Sequence, residues 1–153
     1  MKKIASFTVD HRFIKPGIYV SRIDDDITTY DLRTRKPNSN DFMDDSTMHT
    51  FEHLFATFAR NTTLSDQVIY VGPMGCRTGF YLLLRDSVSK EDALALVQAS
   101  VDFISGYVGD IPGGKKEECG NFREHDLDGA KAIGADMKTV IAKWTVEKMT
   151  YPE

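Results

Sequence analysis

The run Phe80-Tyr81-Leu82-Leu83-Leu84 sets the tightest limit on what this chain can fold into. Successive side chains of a strand point to opposite faces. Apolar bulk at every position therefore asks for cover on both sides. A helix layer of the same chain supplies one cover, and a second subunit supplies the other. The run is far shorter than the roughly 20 residues that cross a bilayer, so no membrane partner is expected.

The remaining pattern fills in an α+β fold. Gly17 to Ile23 and Ile27 to Arg33 are β-prone and flank Asp24-Asp25-Asp26, which predicts an antiparallel hairpin. Lys36 to Asn40 reads as a loop. Ser46 to about Arg60 reads as a helix. Met48, Phe51, Phe55 and Phe58 make its apolar stripe, and Ser46 or Asp45 is available as its cap. Gln67 to Val71 and Thr78 to Arg85 are predicted strands. Ser89 opens a second helix, with Asp92 at capping-box spacing. Asp110 to Asn121 is a Gly-rich charged loop. A third helix is expected from about Asp126 to Trp144, with Ala130, Ile133, Met137, Val140 and Trp144 on one face. Strands joined by short turns, without strict alternation with helices, predict an antiparallel sheet with helices mainly on one face.

At 153 residues and 41% hydrophobic, the chain suits one domain over 1–153. Its net charge of −4, with no basic stretch longer than Lys115-Lys116, argues against nucleic acid as a partner. Met1-Lys2-Lys3 could open a secretory signal, but Asp10-His11-Arg12 interrupts the apolar stretch that follows. A cytoplasmic location is expected. The two cysteines, Cys76 and Cys119, then read as free thiols or ligands rather than a bridge.

The chemistry is concentrated in His49-Thr50-Phe51-Glu52-His53. Residues i and i+4 of a helix share a face, with Cβ atoms roughly 5–6 Å apart. Two imidazoles so placed can hold one divalent metal, and Glu52 can stand beside it as a general base. The same H-x-x-E-H string occurs in inverse zinc peptidases. It therefore points to a metal and not to one reaction. A third ligand is sought among Cys119, Glu117, Glu118 and His125, in or next to the second Gly-rich loop. Glu-Glu-Cys-Gly-Asn is too polar for a core position, which favours Cys119, and Gly120 after it allows close backbone approach. A thiolate ligand suits Fe(II) or Zn(II) and disfavours Mg(II). Cys76, between Gly75 and Gly79 with Arg77 beside it, is a second reactive thiol.

Taken together, these segments resemble the S-ribosylhomocysteine lyase (LuxS) family of autoinducer-2 synthases. The resemblance runs from about Ser6 to Ala142 and is carried by several motifs. They are Ser6-Phe7-Thr8-Val9-Asp10-His11, Asp31-Leu32-Arg33, His49 to Ala56, Pro73 to Tyr81, Glu118-Cys119-Gly120 and His125 to Lys131. It implies a homodimer with two active sites at the subunit interface. It implies one divalent metal per subunit, natively Fe(II) and replaceable by Zn(II) or Co(II), held by His49, His53 and Cys119. Cys76 and Glu52 would be the acid/base pair. Ser6, His11 and Arg33 would hold the substrate, the first two reaching in from the partner subunit. Tyr70 stands where the family pattern commonly has an acid, and Thr145 to Glu153 matches nothing in that pattern.

The implied reaction cleaves the C5–S bond of S-ribosylhomocysteine. Moving the carbonyl from C1 to C2 and then to C3, through two enediolates, acidifies the proton β to sulfur. Homocysteine then leaves, with 4,5-dihydroxy-2,3-pentanedione as the other product. Two other readings compete. One is an H-x-x-E-H zinc peptidase with Glu117 or Glu118 as third ligand. The other is a non-catalytic metal-binding protein whose site is closed by four protein ligands, His125 among them.

Overall fold

The computed structural model describes Met1–Glu153. Strand β1 (Gly17–Asp24) turns at Asp25-Asp26 into β2 (Ile27–Arg33), with Gly17 opposite Arg33 and Asp24 opposite Ile27. Asp25 takes the left-handed conformation (φ 50°) that a two-residue hairpin turn asks of it. Strands β3 (Val68–Pro73) and β4 (Gly79–Arg85) form a second antiparallel pair, and β4 lies against β2. The sheet order is β1-β2-β4-β3. The apolar strand thus occupies an interior position, as its composition requires.

Helices α1 (Asp45–Ala59), α2 (Lys90–Ser105) and α3 (Leu127–Ile141) cover one face of the sheet. Ile18, Tyr30, Leu32, Phe80, Leu82 and Leu84 point toward them. They meet Phe51, Leu54 and Phe55 of α1, Val97 and Ile104 of α2, and Ile133 and Met137 of α3. The Phe51 and Phe80 rings stack at 4.5 Å. Each such side chain contributes about 1.5–3 kcal/mol when fully buried.

The opposite face is only partly covered. Tyr81 and Leu83, the alternate residues of β4, are half-buried, and Tyr70 on β3 is 53% exposed. No helix is long and apolar enough to cross a membrane.

Three local expectations are corrected. Asp44, not Ser46 or Asp45, caps α1, because its carboxylate accepts from the Thr47 N–H at 2.8 Å. Ser89 does cap α2, accepting from the Asp92 N–H at 3.1 Å. Helix α3 ends at Ile141, and Ile141 rather than Val140 completes its buried stripe. The chain leaves the helix before Trp144, so the helical period no longer places that residue. Trp144 instead packs edge-on against Tyr19 and donates its indole N–H to the Ile18 carbonyl at 2.8 Å. The segment beyond it is anchored as well: Met149 is buried in the core and Tyr151 stacks on Tyr19 at 5.1 Å.

Candidate active site

Two clusters of reactive side chains emerge, one on α1 and one at the end of the β2–β4 pair. In the first, ligand atoms of His49, His53, Cys119 and His125 all lie within 4.8 Å of one another. Helix α1 supplies the two histidines one turn apart, their rings edge-on at 4.6 Å. The segment between α2 and α3 wraps over them and supplies the rest.

Backbone carbonyls fix the orientation of both rings and make Nδ1 the donor in each. His49 Nδ1 lies 2.8 Å from the Glu124 carbonyl, and His53 Nδ1 lies 2.8 Å from the Pro112 carbonyl. A carbonyl only accepts, so each Nδ1 carries a proton, and in the neutral ring Nε2 is the nitrogen with the lone pair. This is the outer-shell arrangement that orients a metal-binding imidazole. Cys119 Sγ lies 3.3 Å from His49 Nε2 and accepts from the Asn121 N–H at 3.4 Å. Two imidazole lone pairs and one sulfur thus converge, a donor set that fits a divalent transition metal.

The glycine that matters here is Gly113. It has φ 67°, and a Cβ there would come within 3.1 Å of His53 Nδ1. Gly120, expected to allow close approach beside Cys119, faces open space. Glu117 and Glu118 are exposed and lie outside the cluster.

His125 is different from the other two histidines. Its ring stacks on His49 at 4.0 Å and meets His53 edge-on at 4.9 Å. Burial, reinforced by the two neighbouring histidines, lowers its pKa to about 4, so the ring is neutral near pH 7. Its Nδ1 lies 2.9 Å from the Thr50 hydroxyl, and its Nε2 is buried with no protein partner. Glu52 is half-buried on α1, next to His53.

The second cluster surrounds Cys76, in the turn between β3 and β4. Arg77 adopts φ 62°, and its backbone N–H closes the turn onto the Met74 carbonyl at 3.0 Å. The close approach there belongs to Gly79, whose added Cβ would sit 2.7 Å from the Leu32 carbonyl. Cys76 Sγ lies 3.0 Å from the Thr78 hydroxyl and 3.9 Å from Arg33 Nη1, and Arg33 also donates to Thr78 at 2.9 Å. The guanidinium beside the thiol is therefore that of Arg33. Arg77 turns away, over the Phe42 ring and toward Asp45.

Arg33 is held by a fork of two bonds to Asp31, at 3.2 and 2.6 Å, and both side chains are buried. Tyr151 donates to the same carboxylate at 2.6 Å. Burial raises the Tyr151 pKa and Asp31 reinforces the shift, so the hydroxyl stays a donor. Tyr151 was not singled out in the sequence, and Asp31 appeared there only within the Asp31-Leu32-Arg33 motif, with no role of its own. For Asp31 the available signal was an acid two residues from Arg33, on one face of a strand.

His11 and Cys76 line one cavity of about 280 Å³, with Asn38 and Asp41. Ser6 lies elsewhere, in a cavity of about 320 Å³ on the half-covered sheet face, with Tyr70 and Tyr81. Within one chain, then, His49, His53 and Cys119 come together, Cys76 joins Arg33 and His11, and Ser6 joins neither group.

Residues 4–148 match the S-ribosylhomocysteinase (LuxS) family. An S-ribosylhomocysteine lyase of Finegoldia magna is 45% identical, with both chains covered completely. Lyases of the same name from Desulfotalea psychrophila (45% identical, 99% of each chain) and Clostridium acetobutylicum (40%, all of each chain) are similarly related. With the match extending over nearly its whole length, the chain belongs to the S-ribosylhomocysteinase (LuxS) family.

Proposed function

We propose that this single domain, residues 1–153, is an S-ribosylhomocysteine lyase that cleaves the thioether bond to give homocysteine and 4,5-dihydroxy-2,3-pentanedione. The carrying observation is the convergence of His49 Nε2, His53 Nε2 and Cys119 Sγ in a chain of this family. These three would hold the divalent metal, Fe(II) in its native state. When bound, the ion supplies Lewis-acid stabilisation of negative charge on substrate oxygen.

The chain's own groups do the remaining work. Cys76 and Glu52 take and return protons during the carbonyl shifts, and Cys76 does so beside the Arg33 cation. Arg33, fixed by Asp31, binds substrate oxygens, assisted by Ser6 and His11. A carboxylate third ligand, which the peptidase reading needs, has no counterpart in the cluster. The compartment that suits these free thiols is the cytoplasm.

A homodimer with shared sites is part of this proposal. The half-covered face of β4 supports it. Ser6 and His11 are assigned to the neighbouring subunit's site, although His11 also lines the Cys76 cavity of its own chain. Mixed dimers of His11→Ala and Cys76→Ala subunits separate the two arrangements. If His11 acts across the interface, each mixed dimer keeps one intact site; if it acts within its chain, none survives.

The test of the activity is release of free thiol from S-ribosylhomocysteine by anaerobically prepared, Fe(II)-loaded protein. Stoichiometric thiol release supports the lyase. No release by protein holding one metal per chain overturns it.

A further inference from the structure

The segment after α3 reaches the Cys76 corner through one polar atom, the hydroxyl of Tyr151. Asp31 lies on the half-covered face of the sheet, opposite Tyr19 of β1 and Tyr81 of β4. It is fully buried, and its carboxylate accepts from Arg33 and from Tyr151. Tyr19 does not serve it, because the Tyr19 hydroxyl donates to the Lys15 carbonyl at 2.8 Å. Tyr151 is thus the one donor outside the ion pair. It shares Asp31 Oδ2 with Arg33 Nη2, each bond being 2.6 Å long.

Packing alone does not ask for that hydroxyl. Met149 is already buried in the core, Trp144 already bonds the Ile18 carbonyl, and the Tyr151 ring stacks on Tyr19. A phenyl ring would fill the same stack. Burying the phenolic oxygen costs a desolvation that its bond to Asp31 offsets. What the bond supplies is a fixed carboxylate. The torsion that turns a carboxylate about its Cβ–Cγ bond is soft, and a carboxylate gripped by its arginine alone can turn together with it. Tyr151 approaches Oδ2 from a different segment and holds it in one plane.

The aim of Arg33 follows from that plane. Its Nε and Nη2 are committed to Asp31, and Nη1 donates to Thr78 at 2.9 Å. The guanidinium is a rigid fork, so fixing the Asp31 side fixes the other side, where Nη1 also faces Cys76 Sγ at 3.9 Å. Resting on the lyase reading, we propose that Tyr151 is a positioning residue of the active site: its hydroxyl fixes the Asp31 carboxylate, and the carboxylate aims Arg33 at Cys76 and at substrate oxygen. Tyr151 lies beyond residues 4–148, the part of the chain that matches the family.

Tyr151→Phe tests this on the metal-loaded protein. The variant should keep one metal per chain and an unaltered Co(II) visible spectrum, because no metal-site residue is touched. Its KM for S-ribosylhomocysteine should rise about tenfold, less than the roughly 10²-fold that a full 1 Å misplacement costs. Its kcat should change less than KM, as expected when a substrate-binding group loses its aim. Ile104→Ala is the control. Ile104 is buried on α2 beside Gly134 of α3, and its truncation removes more packing than the loss of one hydroxyl. It should lower stability at least as much and leave KM unchanged. An unchanged KM in Tyr151→Phe, or an equal rise in Ile104→Ala, overturns the proposal.

A second readout needs no turnover. In Zn(II)-loaded protein, ¹⁵N NMR follows exchange of the Arg33 Nε–H with water. That exchange should be slow in wild type and about tenfold faster or more in Tyr151→Phe, where the ion pair opens more often. Equal exchange in the two proteins overturns the role of Tyr151. No substrate is present in this measurement. Failure of the lyase reading therefore shows as absent thiol release from wild type, while Arg33 still loses its protection in the variant.

Discussion

The His49–His53–Cys119 cluster and the Cys76 corner hold their reactive groups by different means. The first rests on one helix period. His49 and His53 are four residues apart, and carbonyls of the covering segment turn both lone pairs inward. Its charge comes from the ion it would bind. The Cys76 corner carries its own charge. The Asp31–Arg33 pair on β2, Thr78 before β4 and Tyr151 are distant in sequence from one another and make one hydrogen-bonded chain. A buried ion pair pays for desolvation, so it is a weak source of stability when intact and a severe loss when broken. One region is thus expected to fail by losing an ion, the other by losing the fold around it.

That contrast is broken most directly at Cys119. Cys119→Ala should lower the metal content from one per chain to near zero, measured by mass spectrometry of metals, and abolish thiol release while the chain stays folded by circular dichroism. Stoichiometric metal in this variant removes Cys119 from the ligand set. The complementary change, Cys76→Ala, should leave the metal content untouched and cost about 10²–10⁴-fold in thiol release. Retention of more than about a tenth of wild-type activity makes Cys76 structural.

Asp31→Asn tests whether the corner is held by charge. Leaving Arg33 buried without its carboxylate should cost about 3–5 kcal/mol in urea unfolding. An intact unfolding midpoint would show that Arg33 finds another partner. The smallest effect is expected from Tyr151→Phe, which keeps the ring on Tyr19 and removes one bond to a charged group, about 1.5–3 kcal/mol.

Tyr151→Phe also carries a pH signature. The folded-state pKa of Tyr151 is raised, mainly by burial, above the ordinary value of 10.0. Its contribution is complete below about pH 10 and is lost as pH rises from there toward the folded pKa, because the unfolded chain gives up the proton first. The variant should therefore lose less stability than wild type on going from pH 9 to pH 11. Equal losses would assign the alkaline sensitivity to Tyr19, Tyr30 and Tyr81, whose pKa values burial also raises.

The two regions were unequally legible before folding, for the same reason. Strands and helices follow from side-chain periods within a few residues, and the histidine pair of α1 follows from one of those periods. The Asp44 cap lay one residue beyond the expected start, because Asp44, Asp45 and Ser46 all can cap and only backbone geometry selects among them. Val140 and Ile141 are neighbours on a helix that ends there, and the choice between a step of three and a step of four residues from Met137 decided between them. Cys76 was visible as a thiol in a Gly-rich turn, but its cation was assigned to the adjacent Arg77. The true neighbour, Arg33, is brought in by the β2–β4 register, where Arg33 stands opposite Gly79. His125 was visible as a possible ligand. Its ring partner is the hydroxyl of Thr50, 75 residues away, and no spacing rule reports that.

The distance between Asp31 and Tyr151 has a consequence for how the molecule is made. The carboxylate is synthesised 120 residues before the hydroxyl that completes its bonding, and Ile18 waits 126 residues for Trp144. Contacts of such separation form late and slow folding. During translation the β1–β2 hairpin must exist with its acidic face open and Tyr19 without its stacking partners, an exposed strand pair of the kind that invites premature association. Arg33 is therefore among the last groups to be locked, and a nascent chain can have the histidine pair of α1 well before the surroundings of Cys76 are complete.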